Sequence, residues 1–204
     1  MTVDITPQTI KKLREKTGAG MMNCKQALTE NNGDFEKAVE FLKLKGMATA
    51  DKKASRNTQE GIIYSYIHTG NKLGILLEVN CETDFVARRP EFQELAKNIA
   101  MQIASNENIE VISSTDISQS LKDKVWQFES IKEDLTNKSD DIRNKIISGR
   151  VDKNLKTKVL LEQSFIRDTN ITVEQYIKQT IGILGENIKI RRFVRYILGE
   201  LDNL

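Results

Sequence analysis

The chain of 204 residues has few of the residues on which several large classes of protein depend. It contains one histidine, two cysteines and two prolines. A single histidine excludes most histidine-based catalysis and most histidine-rich metal sites. The two cysteines, Cys24 and Cys81, are too few for a disulfide scaffold or a structural zinc site, and they are typical of a reducing compartment.

Long apolar runs and an excess of charge are also missing. No more than three apolar residues follow one another, whereas a membrane-spanning helix needs about 20. The N-terminus lacks the basic and apolar stretches of a signal peptide and the Arg- and Ser-rich character of a transit peptide. Lys and Arg number 31 against 29 Asp and Glu, a net charge of +2. We therefore expect no membrane association and no direct binding of nucleic acid, which requires several phosphates to be neutralised at once.

Residues 1–46 carry the pattern of three short amphipathic helices. Thr6 and Pro7 form an N-cap followed by proline at the first helical position. Glycine-containing turns separate the helices, and apolar residues recur at helical spacing within each. The pattern predicts a three-helix module whose last helix ends before Gly46. A small, polar linker over residues 47–60 follows, and its Ala and Lys content leaves helix open as its conformation.

Residues 61–204 are predicted to form an α+β core. Two alternating runs around a Gly-Asn turn predict a β-hairpin over residues 61–81. A C-terminal strand over residues 187–198 is expected to pair with this hairpin and complete a small antiparallel sheet. The strongest helical pattern begins at Pro90 and places its apolar residues in a single stripe. The fold class that follows is a small antiparallel sheet packed with helices, behind an N-terminal three-helix module.

Two finer expectations concern the second half of the chain. Helices are predicted over residues 118–135 and 139–148, a further short helix begins at Gly149, and residues 159–171 have an irregular pattern. Within the C-terminal strand, strict alternation groups the apolar residues on one face. That predicted face consists of Ile188, Ile190, Val194, Tyr196 and Leu198.

No arrangement typical of catalysis or of nucleotide binding is evident in the sequence. The eleven glycines never form a phosphate-binding loop motif. Cys81 and His68 lie on neighbouring predicted strands and could approach each other, but Cys81 falls on the apolar face and no third orienting group is evident. We therefore expect no enzymatic activity, no cofactor and no metal site.

The C-terminal strand interleaves basic and aromatic residues between Lys189 and Tyr196. Such a face can hold RNA phosphates and stack bases. A solvated strand face is the simpler interpretation, and RNA binding stays as an alternative function.

The segment that joins the hairpin to the next helix has a less ordinary pattern. Thr83 can cap a first helical turn, and Pro90 argues against one straight helix, so Phe85 would lie on a short, separately aimed turn. An exposed aromatic beside Asp84 is a candidate wedge for a protein partner. Phe85 also precedes Phe92 by seven residues and could continue the core stripe, and the residues alone leave both interpretations open.

Three ordered segments resemble the signatures of the elongation factor Ts family. LREKTGAGMMNCKQAL (13–28) resembles the N-terminal signature, EVNCETDFVARR (78–89) the central one and GENIKIRRF (185–193) the C-terminal one. ADKKASR (50–56), SYIHTG (65–70) and the short length resemble the cyanobacterial and plastid branch. Three signatures in the family order are far more specific than one short motif.

The resemblance implies a function and a set of contact residues. Members of the family are guanine nucleotide exchange factors for elongation factor Tu. Their N-terminal module is ubiquitin-associated-like and contacts the nucleotide domain of elongation factor Tu. The residues implied at the partner's magnesium site are Thr83, Asp84, Phe85 and Val86, which favours the wedge interpretation of Phe85. Those implied in the N-terminal module are Lys12, Leu13 and Arg14.

Further expectations follow from the resemblance and from composition. Arg89 stands where the family commonly has small, polar or acidic residues, which leaves its contact open. Longer members carry a duplicated core half and a coiled coil, whereas this chain has one core unit, and some short members form homodimers. The abundance of Ile, Lys and Asn is typical of AT-rich genomes and favours a plastid-encoded protein of the stroma, with bacterial cytoplasm as the alternative. The competing functions are RNA binding and a ubiquitin-associated-like interaction module without exchange activity.

Overall fold

The computed structural model describes residues 5–132 and 139–200. It confirms the α+β class, with an N-terminal group of three helices and small antiparallel sheets covered by helices. No helix of the described residues is both long and apolar enough to cross a membrane. The elements in chain order are α1 (Pro7–Thr17), α2 (Met21–Glu30), α3 (Phe35–Lys53), β1 (Glu60–Ile67), β2 (Leu73–Cys81), α4 (Asp84–Ala87), α5 (Pro90–Ser105), α6 (Gln119–Ser130), α7 (Asp140–Lys158), β3 (Ser164–Phe165), β4 (Asp168–Thr172), α8 (Val173–Leu184) and β5 (Lys189–Ile197).

Local capping chemistry sets the starts of α1 and α3 and the end of α1, as predicted. The Thr6 hydroxyl accepts a hydrogen bond from the backbone N–H of Thr9 at 3.2 Å, and Asp34 caps α3 through the N–H of Lys37 at 3.1 Å. Gly18 ends α1 in the left-handed conformation. The helices enclose a separate apolar cluster formed by Ile10, Leu13, Cys24, Ala27, Leu28, Ala38, Val39 and Leu42.

The prediction that the third helix ends before Gly46 is wrong. Helix α3 continues to Lys53. The Ala- and Lys-containing segment after Gly46 favours helix, and Ala50 is buried in the main core, which rewards that conformation. Residues 47–53 of the predicted linker are therefore helical. The division of the chain into a module, a linker and a core stays a proposal.

Helix α3 crosses α8 at a contact between two glycines. A Cβ atom added to Gly182 would lie 2.6 Å from the Cα of Gly46, closer than real Cβ atoms approach backbone. Only glycine therefore permits this separation of the two helices. The crossing fixes the N-terminal helices against the core.

Replacing Gly182 by alanine is expected to destabilise the protein by about 1–3 kcal/mol, because the new methyl group forces α3 away from α8. Helix propensity alone predicts the opposite sign, since alanine is favoured over glycine by about 1 kcal/mol. Gly149→Ala is the matched control: Gly149 lies within α7, and an added Cβ meets no atom within 4 Å. Denaturant unfolding should show a loss of stability for Gly182→Ala and a gain for Gly149→Ala. A stable Gly182→Ala variant would contradict the close crossing.

The hairpin and its pairing with the C-terminal strand are confirmed. The main sheet has the order β1-β2-β5, with both pairs antiparallel. Its inner face packs on α5 and α8 through a core that includes Leu77, Val79, Phe92 and Ile181. Because α4 follows directly after β2, the end of this strand places α4 at the edge of the core.

The predicted alternation of the C-terminal strand is wrong because the strand contains a bulge. Ile190 pairs with Val79 and Arg192 with the preceding residue of β2, so Arg191 is an extra residue. The bulge shifts the alternation by one position. Ile190 and Phe193 consequently pack towards the core, whereas Val194, Tyr196 and Leu198 are exposed.

Two expectations for residues 118–171 are corrected. Helix α7 is one helix over Asp140–Lys158, since the exposed Gly149 costs it only about 1 kcal/mol. The predicted helix over 118–135 corresponds to α6, and its positions 133–135 lie outside the described residues. The segment expected to be irregular contains the short antiparallel pair β3 and β4.

Candidate functional site

The turn after β2 is a single helical turn, α4, with a defined start and end. Thr83 has an extended backbone, and its hydroxyl accepts a hydrogen bond from the N–H of Val86 at 3.4 Å. Arg89 is extended because proline at position 90 disfavours the helical conformation of the residue before it. Helix α4 therefore stops after four residues, and α5 begins separately at Pro90.

The side chains of α4 divide into a buried pair and an exposed aromatic. Val86 and Ala87 are 7% and 5% exposed and belong to the main core. Phe85 is 78% exposed, whereas Phe92 is fully buried. Phe85 thus does not continue the core stripe, and the wedge interpretation is the one compatible with its position. Of the residues expected at the partner's magnesium site, Val86 lies under the turn and anchors it.

The charged residues around Phe85 form local ion pairs. Asp84 accepts a hydrogen bond from the Arg88 guanidinium at 2.9 Å and stays about half exposed. Arg89, whose contact was left open, pairs with Glu91 through two hydrogen bonds of 2.7 and 3.2 Å. The pKa of Glu91 is lowered, first by a hydrogen bond from its own backbone N–H and then by Arg89. The turn therefore presents the exposed ring of Phe85 beside the accessible carboxylate of Asp84.

Glu186, which sequence reasoning did not single out, holds the backbone in front of α4. Its carboxylate accepts hydrogen bonds from the N–H groups of Glu82 and Thr83 at 3.1 and 3.0 Å, and from the Thr83 hydroxyl at 2.7 Å. In return, the N–H of Asn187 donates to the Glu82 carboxylate at 2.7 Å. We call these four hydrogen bonds the turn clamp. The only sequence signal for it is the GEN segment of the C-terminal signature.

Cys81 and His68 do not form a catalytic pair. His68 donates its N–H to Leu73 at one end of the hairpin, and Cys81 pairs with Glu60 at the other. The strand between them is on the order of 25 Å long at about 3.4 Å per residue. Burial, with a smaller contribution from the nearby Glu186 carboxylate, raises the pKa of the Cys81 thiol to about 11, which makes it a poor nucleophile.

Two arginines of the basic strand are engaged within the protein. Arg192 pairs with Glu78 at 2.7 Å. The Arg195 guanidinium donates to the carbonyl of Ile103 in the last turn of α5 and to those of Asn106 and Glu107 just after it, at 2.8–3.0 Å. Arg195 therefore satisfies the last carbonyls of a helix. This use within the fold weakens the alternative that the strand binds RNA.

The residues expected to contact a partner in the N-terminal module have two different environments. Lys12 and Arg14 are exposed on α1. Leu13 is fully buried and packs in the module's own apolar cluster. Lys12 and Arg14 thus flank the buried Leu13, which anchors their helix, and each projects to solvent on its own side of α1.

Comparison with known proteins identifies the family. The family model described as elongation factor TS matches residues 3–200. The chain belongs to the elongation factor Ts family. A relative named elongation factor Ts, chloroplastic, from Phaeodactylum tricornutum is 67% identical over 202 residues, covering 99% of this chain and 100% of the relative.

Two further relatives of the elongation factor Ts family come from a plastid and from a cyanobacterium. The chloroplastic factor of Rhodomonas salina is 58% identical and is covered over 91% of its length. The elongation factor Ts of Rippkaea orientalis is 55% identical, over 97% of this chain and 79% of the relative. The chain is therefore a translation elongation factor, similar to chloroplastic and cyanobacterial members.

Proposed function

We propose that this member of the elongation factor Ts family binds elongation factor Tu–GDP and promotes the release of GDP. The observation that carries the proposal is Phe85, an aromatic ring that is 78% exposed on a turn held by a buried valine and by the turn clamp. A large apolar side chain presented to solvent by a fixed backbone is the anchor typical of an interface hot spot.

The proposed mechanism follows from how GTPases hold GDP. Backbone N–H groups, a lysine and a magnesium ion neutralise the β-phosphate. Phe85 enters an apolar slot beside that site and separates the side chains that line it, while Asp84 competes for the donors near the metal. GDP then loses the charges that retain it. The factor itself makes and breaks no covalent bond, so it is an exchange factor and not an enzyme in the chemical sense.

The N-terminal helices supply a second contact in this proposal. Lys12 and Arg14 face solvent on α1 and bind the nucleotide domain of elongation factor Tu, while Leu13 holds the helix in place from inside. Docking by this surface is distinct from the action of Phe85, which follows it.

Stopped-flow measurement of labelled GDP leaving elongation factor Tu tests the function directly. Addition of the factor should accelerate release in proportion to its concentration and by up to about a thousandfold at saturation, as a coupling of ~4 kcal/mol requires. A module that only binds would show affinity without acceleration. An RNA-binding protein would leave the rate unchanged and would bind RNA with an affinity that falls steeply with salt. No acceleration with a folded, pure factor would contradict the proposal.

We also propose that two copies associate through the outer sheet face, the side of the main sheet that faces away from α5. This face exposes apolar side chains on all three strands, and no element of the described residues covers it. Two sheets can pack face to face, and a two-fold axis brings the same apolar patch of both copies together. The apolar side chains of the outer sheet face are Ile63, Ile67, Leu76, Val194, Tyr196 and Leu198.

Analytical ultracentrifugation tests the dimer. Tyr196 is 63% exposed on the outer sheet face, near the end of β5, so Tyr196→Asp should convert dimer to monomer because it places a charge inside the interface. The matched control is Tyr66→Phe, which alters the opposite face of the sheet and should leave the dimer intact. A monomeric wild-type protein at micromolar concentration would contradict the association.

The proposed location is the plastid stroma. It is supported by the chloroplastic names of the relatives from Phaeodactylum tricornutum and Rhodomonas salina. The cyanobacterial relative keeps bacterial cytoplasm as the alternative.

A further inference from the structure

We infer that Glu186 is a positioning residue for Phe85: it sets the direction in which α4 presents the ring, an inference that rests on the exchange function proposed above. Glu186 follows Gly185, which ends α8 in the left-handed conformation. It lies 103 residues from Thr83 in the sequence, yet it touches the backbone that starts the turn.

A four-residue helix needs such a support. One helical turn fixes several backbone angles for very few hydrogen bonds, so it is not stable alone. The Glu186 carboxylate accepts three hydrogen bonds from the two residues before α4, and hydrogen bonds to an ionised acceptor are stronger than neutral ones. Two of them come from backbone N–H groups, which fixes the main chain rather than a side chain. The direction of the turn is thereby determined before the helix begins.

The turn clamp is also hydrogen-bonded to the segment that follows α3, the last of the three N-terminal helices. The side-chain amide of Asn187, which is 2% exposed, donates to the carbonyls of Ala54 and Arg56 at 3.3 and 2.9 Å, just after α3. The Arg56 guanidinium also contacts Glu82 at 3.4 Å. The clamp therefore relates Phe85 to the end of α3, so that both proposed contact surfaces reach elongation factor Tu in a fixed relation.

Three substitutions at Glu186 separate positioning from charge. Glu186→Ala removes the clamp, and the rate of GDP release at saturating factor should fall roughly tenfold, since displacements of about 1 Å can cost ~100-fold in rate. The affinity for elongation factor Tu should change by less than about threefold, because the N-terminal module still docks. Glu186→Gln should restore most of the rate, since its amide oxygen can accept from both N–H groups while its NH₂ donates to Thr83. Glu186→Asp keeps the charge but is too short, and should resemble Glu186→Ala.

A double-mutant cycle and a control complete the kinetic test. Thr83→Val removes the hydroxyl that Glu186 accepts from, so its effect and that of Glu186→Ala should be less than additive. Glu162→Ala removes an exposed carboxylate elsewhere on the core. With this variant, GDP should leave elongation factor Tu at the rate seen with the wild-type factor.

Hydrogen exchange of the free protein gives a readout that does not depend on elongation factor Tu. The amides of residues 82–87 should exchange faster in Glu186→Ala and Glu186→Asp, by roughly tenfold for the loss of ~1.4 kcal/mol of local stability, with the other amides unchanged. Unchanged amides in a folded variant, or full activity of Glu186→Asp with loss in Glu186→Gln, would overturn the positioning role. If Glu186→Ala does not fold, the comparison of Asp with Gln still decides. Failure of the exchange function itself would be recognised separately, because Phe85→Ala would then leave GDP release unchanged while the amides still report on the clamp.

Discussion

Replacing Phe85 by alanine should slow the release of GDP from elongation factor Tu far more than it weakens the complex. Loss of a buried aromatic anchor at an interface hot spot costs on the order of 2–4 kcal/mol, which corresponds to roughly 30- to 1,000-fold in rate. We expect this loss in the rate at saturating factor, because the ring enters the partner after other surfaces have docked. Stopped-flow traces over a range of factor concentrations separate the maximal rate from the affinity.

The control for Phe85→Ala is Phe128→Ala. Phe128 is also a largely exposed phenylalanine, at 58%, but it lies on α6, away from the turn. With the Phe128→Ala factor, GDP should leave elongation factor Tu at the rate seen with the wild-type factor. Phe85→Ala should also unfold at the wild-type temperature, since a ring that is 78% exposed contributes little to the core. A large drop in melting temperature would mean that Phe85 packs inside the protein in solution, and the wedge would then be wrong.

Elements defined by neighbouring residues were predictable from the sequence. The caps at Thr6 and Asp34 and the alternation of the hairpin depend on side chains only a few positions apart. The features that were missed depend on distant partners. The bulge at Arg191 follows from the register with β2, and no local pattern contains that information. The continuation of α3 past Gly46 depends on the burial of Ala50 in the main core as well as on a local Ala and Lys content that favours helix.

The candidate site also combines features that neighbouring residues predict with features that depend on distant residues. Thr83 and Pro90 predicted a short turn, but they left Phe85 with two orientations. The burial of Val86 against the core decides between them. The clamp by Glu186 joins segments that are about half the chain length apart, and the GEN segment of the C-terminal signature does not indicate which residues it contacts. Its role is visible only when the end of α8 and the start of α4 are seen side by side.

Nucleotide and magnesium should control how tightly elongation factor Tu binds this protein. If the factor lowers the partner's affinity for GDP, GDP must lower the partner's affinity for the factor by the same ratio, because the four binding steps close a cycle. Magnesium should act in the same direction, since Asp84 and Phe85 are proposed to disturb its site. We expect the nucleotide-free partner to bind most tightly and magnesium–GDP to displace the factor.

The expected coupling is on the order of 4 kcal/mol, or about a thousandfold in affinity, because a useful acceleration of GDP release requires a comparable loss of GDP affinity. Calorimetric titration into elongation factor Tu measures it, first with nucleotide removed by a chelator and then with saturating magnesium–GDP. Equal affinities in the two titrations would falsify the exchange mechanism, whatever the family.

Two variants assign the coupling to the turn. Phe85→Ala should bring the two affinities closer together, since the ring would no longer compete with the closed nucleotide site, whereas Phe128→Ala should preserve the full difference. Asp84→Asn keeps the size of the side chain and removes its charge, so it should reduce the part of the coupling that depends on magnesium and leave the part that depends on GDP alone. A magnesium dependence that is the same in Asp84→Asn and in the wild type would show that the metal is displaced without help from this carboxylate, and Phe85 would then be the group that acts on the nucleotide site.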